Sequence, residues 1–272
     1  MSADLHTHTI ISDGALEPAE LVARVVAAGV SILAITDHDA VDALDEAVRA
    51  APVGLTVLAG AELTCYVDGR EAHILAYGVD PGDRAFRAAL DDLAAGRIER
   101  AREIVRRLNA VGVDLDFAEV ESIAGPGTIA RPHVAQALVA RGHVSSPDEA
   151  FKRYLGRHAP AFVEKRNLTP ADAFRLIRSA GGVSALAHPG TLRRDDLIPL
   201  LAEAGLDGLE ARHTEHSAAQ CRHYEALAAD LDLLPTGGSD FHGTPGHRSR
   251  LGAPRVPDAW AAALIARAEG RH

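Results

Sequence analysis

The sequence predicts an α/β fold, a seven-stranded (β/α)7 relative of the TIM barrel interrupted by one helical segment. Two observations carry this. Short apolar runs alternate with helical patterns along most of the chain, as strand–helix units do around a mainly parallel sheet. His, Asp and Glu residues gather where those runs end, and the C-terminal strand ends are where such barrels build their sites. The 272 residues, 47% hydrophobic and 24% charged, suit one large domain or one domain carrying an insertion.

Taken in order, the first strand is 3–7, an apolar run ending in His6-Thr7-His8. A helix over 18–28 follows, with Pro18 suited to its first turn. The second strand is 31–36, then a helix over 42–51. Strand 55–63 leads to a different connection, Cys65-Tyr66-Val67-Asp68-Gly69-Arg70-Glu71-Ala72. Asp-Gly is a strong two-residue hairpin signal. Pairing Val67 with Arg70 sets Thr64 opposite His73 and brings Glu62 diagonally onto the same face. Strand 73–77 therefore opens on its histidine. The pattern resumes with a helix over 170–180, which Thr169 can cap, and strand 183–187. Next come a helix over 195–204, strand 206–211, a helix over 217–229, strand 233–236 and a helix over 257–268.

Between these halves the pattern turns helical. Phe86, Leu90, Leu93, Arg97, Ala101, Ile104 and Leu108 recur at helical spacing, and further helical segments follow at 133–140 and 147–155. The expected organisation is a barrel formed by 1–82 and 163–272, with 83–162 as a helical insertion over its mouth. The arginines at 97, 100, 102, 106 and 107 read most simply as a solvated face.

Net charge is −10, from 28 basic and 38 acidic residues, which argues against a broad nucleic-acid-binding surface and leaves room for a local basic pocket. Cys65 and Cys221 alone make neither a disulfide framework nor a cysteine metal motif. His6 lies where a secretory signal would begin. No apolar run approaches the roughly 20 residues that span a bilayer. The expectation is a soluble, reduced, cytoplasmic protein.

The chemistry lies in the strand-end residues. His6 and His8 stand at i and i+2 of a strand, on one face, so both can hold one ion. Asp240-Phe241-His242 repeats that spacing after the last strand. In Thr36-Asp37-His38-Asp39 adjacent side chains point apart, which makes His38 the ligand and Asp37 and Asp39 orienting or capping groups. Glu62, with two oxygens, can join two cations. The candidate ligands are His6, His8, Asp13, His38, Glu62, His73, His133, Asp240 and His242. Each has a plainer reading: Asp13 as a turn cap, His133 as a helix-start residue, Asp240 as a loop cap. Imidazole and carboxylate without thiolate suit Mn²⁺ foremost, then Zn²⁺ or Fe²⁺.

These fragments, with Asp13-Gly14, Gly60-Ala61-Glu62, Arg131-Pro132-His133, Ala187-His188-Pro189-Gly190 and Gly238-Ser239-Asp240-Phe241-His242, resemble the PHP (polymerase and histidinol phosphatase) family from His6 to His242. The resemblance implies a distorted seven-stranded barrel with two or three divalent ions and hydrolysis of phosphate esters. It implies a first ion on His6, His8, Glu62 and Asp240, a second on Glu62, His73 and His133, and a third on Asp13, His38 and His242. Asp13 stands where some members have histidine. Length, the helical segment and the Leu-Ala-His-Pro-Gly passage are similar to the branch of 3′,5′-nucleoside bisphosphate phosphatases, which overlaps with 5′→3′ exonucleases on short RNA of the RNase AM type.

The catalytic candidates are then Arg131, a phosphate fork, and His188, a phosphate ligand or proton donor to the leaving oxygen. Arg212 and His216 are further substrate-binding candidates. His213 and His247 lie in the same strand-end loops. The expected partner is a small phosphorylated substrate, a nucleotide or short RNA end, with no membrane. Competing readings are histidinol-phosphate phosphatase, a metal-dependent C–N hydrolase and a non-catalytic metal-binding module.

Overall fold

The computed structural model of the chain describes residues 2–125, 129–164, 168–243 and 249–271. Its elements in order are β1 (Ser2–Asp4), α1 (Pro18–Ala27), β2 (Val30–Ile35), α2 (Leu44–Ala50), β3 (Thr56–Val67), β4 (Arg70–Tyr77), α3 (Arg84–Ala110), α4 (Phe117–Ala124), α5 (Arg131–Ala140), α6 (Pro147–Ala150), α7 (Pro170–Ser179), β5 (Val183–Leu186), α8 (Pro189–Leu192), α9 (Ile198–Glu203), β6 (Gly208–His213), α10 (Ala218–Asp230), β7 (Leu234–Gly238) and α11 (Asp258–Glu269).

The strands form one sheet in sequence order, β1 to β7. The ring closes between its ends. Leu5 N–H donates to Gly237 O (3.2 Å), Asp240 N–H to His6 O (2.8 Å) and His8 N–H to Phe241 O (2.9 Å). Strand β4 runs antiparallel to β3 and β5, and the other paired neighbours are parallel. The reversal follows from the Asp68-Gly69 turn, where both residues take the positive φ that such a turn requires (49° and 71°). Its register is the one the turn predicts, with Val67 opposite Arg70 and Thr64 opposite His73. The hairpin also carries β3 past residue 63, where the sequence reading stopped it.

The outer helices follow their apolar faces. Helix α1 buries Leu21, Val22 and Val25. Helix α7 buries Phe174 and Ile177, and the Thr169 hydroxyl accepts from Asp172 N–H at 3.2 Å. The expected helix at 195–204 divides into a 3₁₀ turn, Asp195–Leu197, and α9, where Pro199 sits in the first turn. Helix α11 packs on β1, β2, β4, β5 and β7, and its Ala261, Leu264 and Ala268 share a core with Leu5, Leu75 and Val183. The apolar barrel and its helices thus leave the far strand ends for polar side chains.

The chain falls into two compact units, Met1–Ala88 with Asn167–His272, and Ala89–Arg166. The regular elements of the second unit's described residues are helices, the last a π-helical turn at Phe151–Leu155. Its own core includes Ile104, Leu108, Val120, Val134, Leu138 and Leu155. Helix α4 was not read from periodicity, but its start is legible: Asp116 and Glu119 form a reciprocal capping box.

Candidate metal centre

The segments after β1, β2, β5 and β7, with residues of β3, β4 and β6, bring a dense cluster of imidazoles and carboxylates together. Glu62 is its hub. Its Oε2 lies 3.4 Å from His6 Nε2, 3.3 Å from His8 Nε2 and 3.2 Å from His38 Nδ1. Its Oε1 lies 2.8 Å from His73 Nδ1 and 3.1 Å from His188 Nε2. Asp240 Oδ1 completes one face, 3.4 Å from His6 Nε2 and 3.1 Å from His8 Nε2. Around Asp13 a second gathering forms, with Oδ1 3.3 Å from His242 Nε2 and Oδ2 3.8 Å from His38 Nε2.

Surrounding residues aim these rings. His6 and His8 are fully buried. Asp37 accepts from Thr9 N–H (2.8 Å), Thr9 Oγ1 (2.7 Å) and Ser12 Oγ (2.6 Å), and Ser12 stands beside His8 Nδ1. Asp39, at φ 52°, accepts from Thr64 N–H at 3.1 Å. Asp37 thus braces the turn beside His8, and Asp39 the backbone of β3. Close backbone approach is built in at Gly238, where a Cβ would lie 2.4 Å from His6 N and Cβ.

Electrostatics match this geometry. Burial would raise the Glu62 carboxyl, yet His38, His73 and His6 hold it well below the usual carboxylate range. Asp240 is held down in the same way by His6, His213 and His8 against its own burial. Burial pushes His38 down to about 4. At His73 burial is outweighed by Glu62 and Glu71, which lift it to about 9. Burial at His242 is likewise outweighed by Asp13, again reaching about 9. Anionic oxygens thus persist in a buried pocket, which suits cations.

Comparison with known proteins decides the family. The PHP domain pattern matches residues 4–118. The chain is 36% identical over 246 residues to a 5′-3′ exoribonuclease of Haemophilus influenzae, covering 88% of this chain and 89% of the relative. It is 35% identical over 257 residues to a 3′,5′-nucleoside bisphosphate phosphatase of Chromobacterium violaceum, covering 91% and 89%. The chain belongs to the PHP family. A solved Bifidobacterium adolescentis structure, assigned as a metal-dependent phosphoesterase, superposes with a TM-score of 0.85 at 31% identity, covering 97% of this chain and 96% of that one.

PHP proteins are metal-dependent, and the residues here fit that requirement. Ligands about 2.1 Å from one ion lie roughly 3.0–3.4 Å apart in tetrahedral or octahedral arrangements. The spacings among His6, His8, Glu62 and Asp240 run from 3.1 to 3.4 Å across the pairs given above. His6 Nε2, His8 Nε2 and His38 Nδ1 are buried and, among the described residues, make no hydrogen bond. A buried nitrogen of that kind is costly unless something else meets it. Ligand atoms within 4.8 Å of one another also group as His38–Glu62–His73 and as His8–Asp13–His38–His242.

The remaining expected site residues have contacts of their own. Arg212 lies on the outer side of β6. A β-bulge between Glu210 and Arg212 shifts the register of β6, so that Arg212 turns outward and His213 inward. Arg212 pairs with Glu225 (2.6 Å), donates to Arg255 O (2.7 Å) and stacks over Trp260. Both ring nitrogens of His216 have partners. Nδ1 lies 3.2 Å from Ala211 O, and Nε2 accepts from Gly190 N–H at 3.1 Å. It steadies the loop that carries His188. Arg131 and His133 occupy the first turn of α5 in the helical unit. There Arg131 lies over the Phe151 ring and His133 Nδ1 accepts from Ala130 N–H at 3.1 Å. His247 lies outside the described residues.

Two residues of β6 were missed or undervalued. Glu210, fully buried, reaches His6 and the His188 backbone. His213 Nδ1 accepts from Glu215 N–H (3.2 Å), and its Nε2 faces Asp240 Oδ2 at 3.4 Å. The available signal was a carboxylate, Glu210, between the apolar Leu209 and Ala211 of the run 206–211.

Proposed function

We propose that this PHP-family hydrolase of phosphate esters takes a 3′,5′-nucleoside bisphosphate as its substrate and releases inorganic phosphate, giving AMP from the adenosine compound. Trimming of short RNA from its 5′ end is a second activity of the same site. The observation that carries this reading is the Glu62-centred cluster at the strand ends. The two relatives named above, a bisphosphate phosphatase and a 5′-3′ exoribonuclease, supply the substrate class.

In this proposal His6, His8, Glu62 and Asp240 would hold one divalent ion, Glu62 and His73 a second, and Asp13, His38 and His242 a third, Mn²⁺ before Zn²⁺ or Fe²⁺. Such ions supply Lewis-acid neutralisation of phosphoryl oxygens and make a water acidic enough to ionise near neutral pH. The chain's own groups do the rest. Glu62 keeps its negative charge under burial and so keeps the cluster together. His188 presents Nε2 to the cluster while Nδ1 meets Thr191 Oγ1 at 3.0 Å. It binds a phosphoryl oxygen and passes its Nε2 proton to the leaving ester oxygen as the P–O bond breaks. The water oxygen ends on phosphorus and the nucleoside leaves as the alcohol. Among the described residues no helix is long and apolar enough to cross a membrane, and a cytoplasmic setting is part of the proposal.

The test is phosphate release with Mn²⁺ from a panel of 3′,5′-adenosine bisphosphate, histidinol phosphate and a 5′-phosphorylated dinucleotide. Preference for the bisphosphate is expected. Preference for histidinol phosphate would transfer the assignment to that reaction.

A further inference from the structure

We infer that Glu210 is a positioning residue that fixes two functional histidines at once: the tautomer of His6 and the backbone of His188. The inference rests on the metal reading above and names a residue that does not itself face the cluster of ligand atoms. Three observations carry it. Glu210 Oε1 lies 3.0 Å from His6 Nδ1. Its Oε2 accepts from His188 N–H at 2.6 Å. His188 holds φ 26° and ψ 58°, a left-handed conformation that a residue with a Cβ adopts only when its surroundings impose it.

An ionised carboxylate only accepts hydrogen bonds. His6 must therefore carry its proton on Nδ1, which leaves the Nε2 lone pair directed at Glu62 and Asp240. Carboxylates behind metal-binding histidines act in this way. The second oxygen holds the peptide on which His188 turns toward Glu62. Strand β6 thereby links the end of β1 to the end of β5 through one buried side chain. The bulge after Glu210 lets His213 face Asp240 from the same strand.

Glu210→Gln separates this role from packing, because it keeps shape and volume. Both neighbours of Glu210 are donors, and a Gln amide offers only one acceptor. Either His6 moves its proton to Nε2 and can no longer face a cation, or His188 loses the bond that holds its turn. The probe is Zn²⁺, which is diamagnetic. Chelator competition should show the tightest zinc site of Glu210→Gln weakened about 10–100-fold, the scale for losing such a partner. In zinc-loaded wild-type protein, histidine ¹⁵N–¹H correlation spectra should place the His6 proton on Nδ1. If the variant does not fold, the chemical shift of that Nδ1 proton decides the matter: a bond to the Glu210 carboxylate moves it far downfield, and a purely structural role would not. A zinc affinity of Glu210→Gln within twofold of wild type, or a His6 proton on Nε2, overturns the inference. Wild-type protein that binds no zinc overturns the metal reading itself, and this inference with it.

Discussion

Replacing Glu62 by Gln tests the hub of the cluster while keeping its volume. Five imidazole nitrogens face the Glu62 oxygens, at 3.4, 3.3, 3.2, 2.8 and 3.1 Å. Its two oxygens point to different partners, so neutralising it weakens two ion positions together. A single hydrogen bond to a charged group is worth about 1.5–3 kcal/mol. At about 1.4 kcal/mol per tenfold, each position loses roughly 10–100-fold in affinity. That is a floor, because a dication attracts a carboxylate more strongly than a single charge does. His242→Ala is the comparison, since His242 Nε2 meets Asp13 Oδ1 at 3.3 Å, in the second gathering of ligand atoms. The assay is elemental analysis after dialysis against a fixed free Mn²⁺ concentration. Glu62→Gln should retain fewer ions per chain than His242→Ala. Equal losses, or full retention in Glu62→Gln, would refute the bridging role.

Other consequences follow from particular contacts. Gly238→Ala should destabilise the fold by about 1–3 kcal/mol or more by overpacking the β7–β1 seam at His6; a thermal melt matching wild type contradicts this. His188→Ala should retain bound metal by elemental analysis while phosphate release collapses, and loss of metal from the variant would make His188 a ligand instead. In metal-free protein His73 and His242 titrate near 9, Glu62 and Asp13 having overcome the depressing effect of burial. Their ordinary value is about 6.5, so their contribution to stability is complete below that pH and is lost as pH rises through about 9. Melts in chelator should therefore fall between pH 6.5 and 9.5, and fall less with Mn²⁺, which binds the deprotonated rings. A flat profile in chelator would show that these pairs do not support the fold.

Much of the barrel was legible because its signals are local. The Asp68-Gly69 turn fixes the β3–β4 register, and that register delivers His73 to Glu62. The i, i+2 spacing of His6 and His8 likewise places both rings at Glu62 and Asp240. What escaped depends on strand geometry that no local pattern encodes. A bulge in β6 exchanges the faces of Arg212 and His213, so an arginine in a strand-end sequence became an outer contact of α10 and α11. His216 carries the right side chain for a phosphate, but Ala211 O and Gly190 N–H already use both its nitrogens. Glu210 gave only the hint of an acid in an apolar strand. Its partners, His6 and His188, are too distant in sequence for spacing to reveal them.

The most direct test of the central claim is a comparison of kcat/KM with Mn²⁺ for 3′,5′-adenosine bisphosphate, AMP and 3′-AMP. A reacting phosphate at the Glu62 cluster and a second phosphate as a remote anchor predict that removing either group lowers kcat/KM by roughly two to four powers of ten, the scale of a lost charge-assisted contact. Equal values for all three compounds would contradict bisphosphate recognition and leave a general phosphatase.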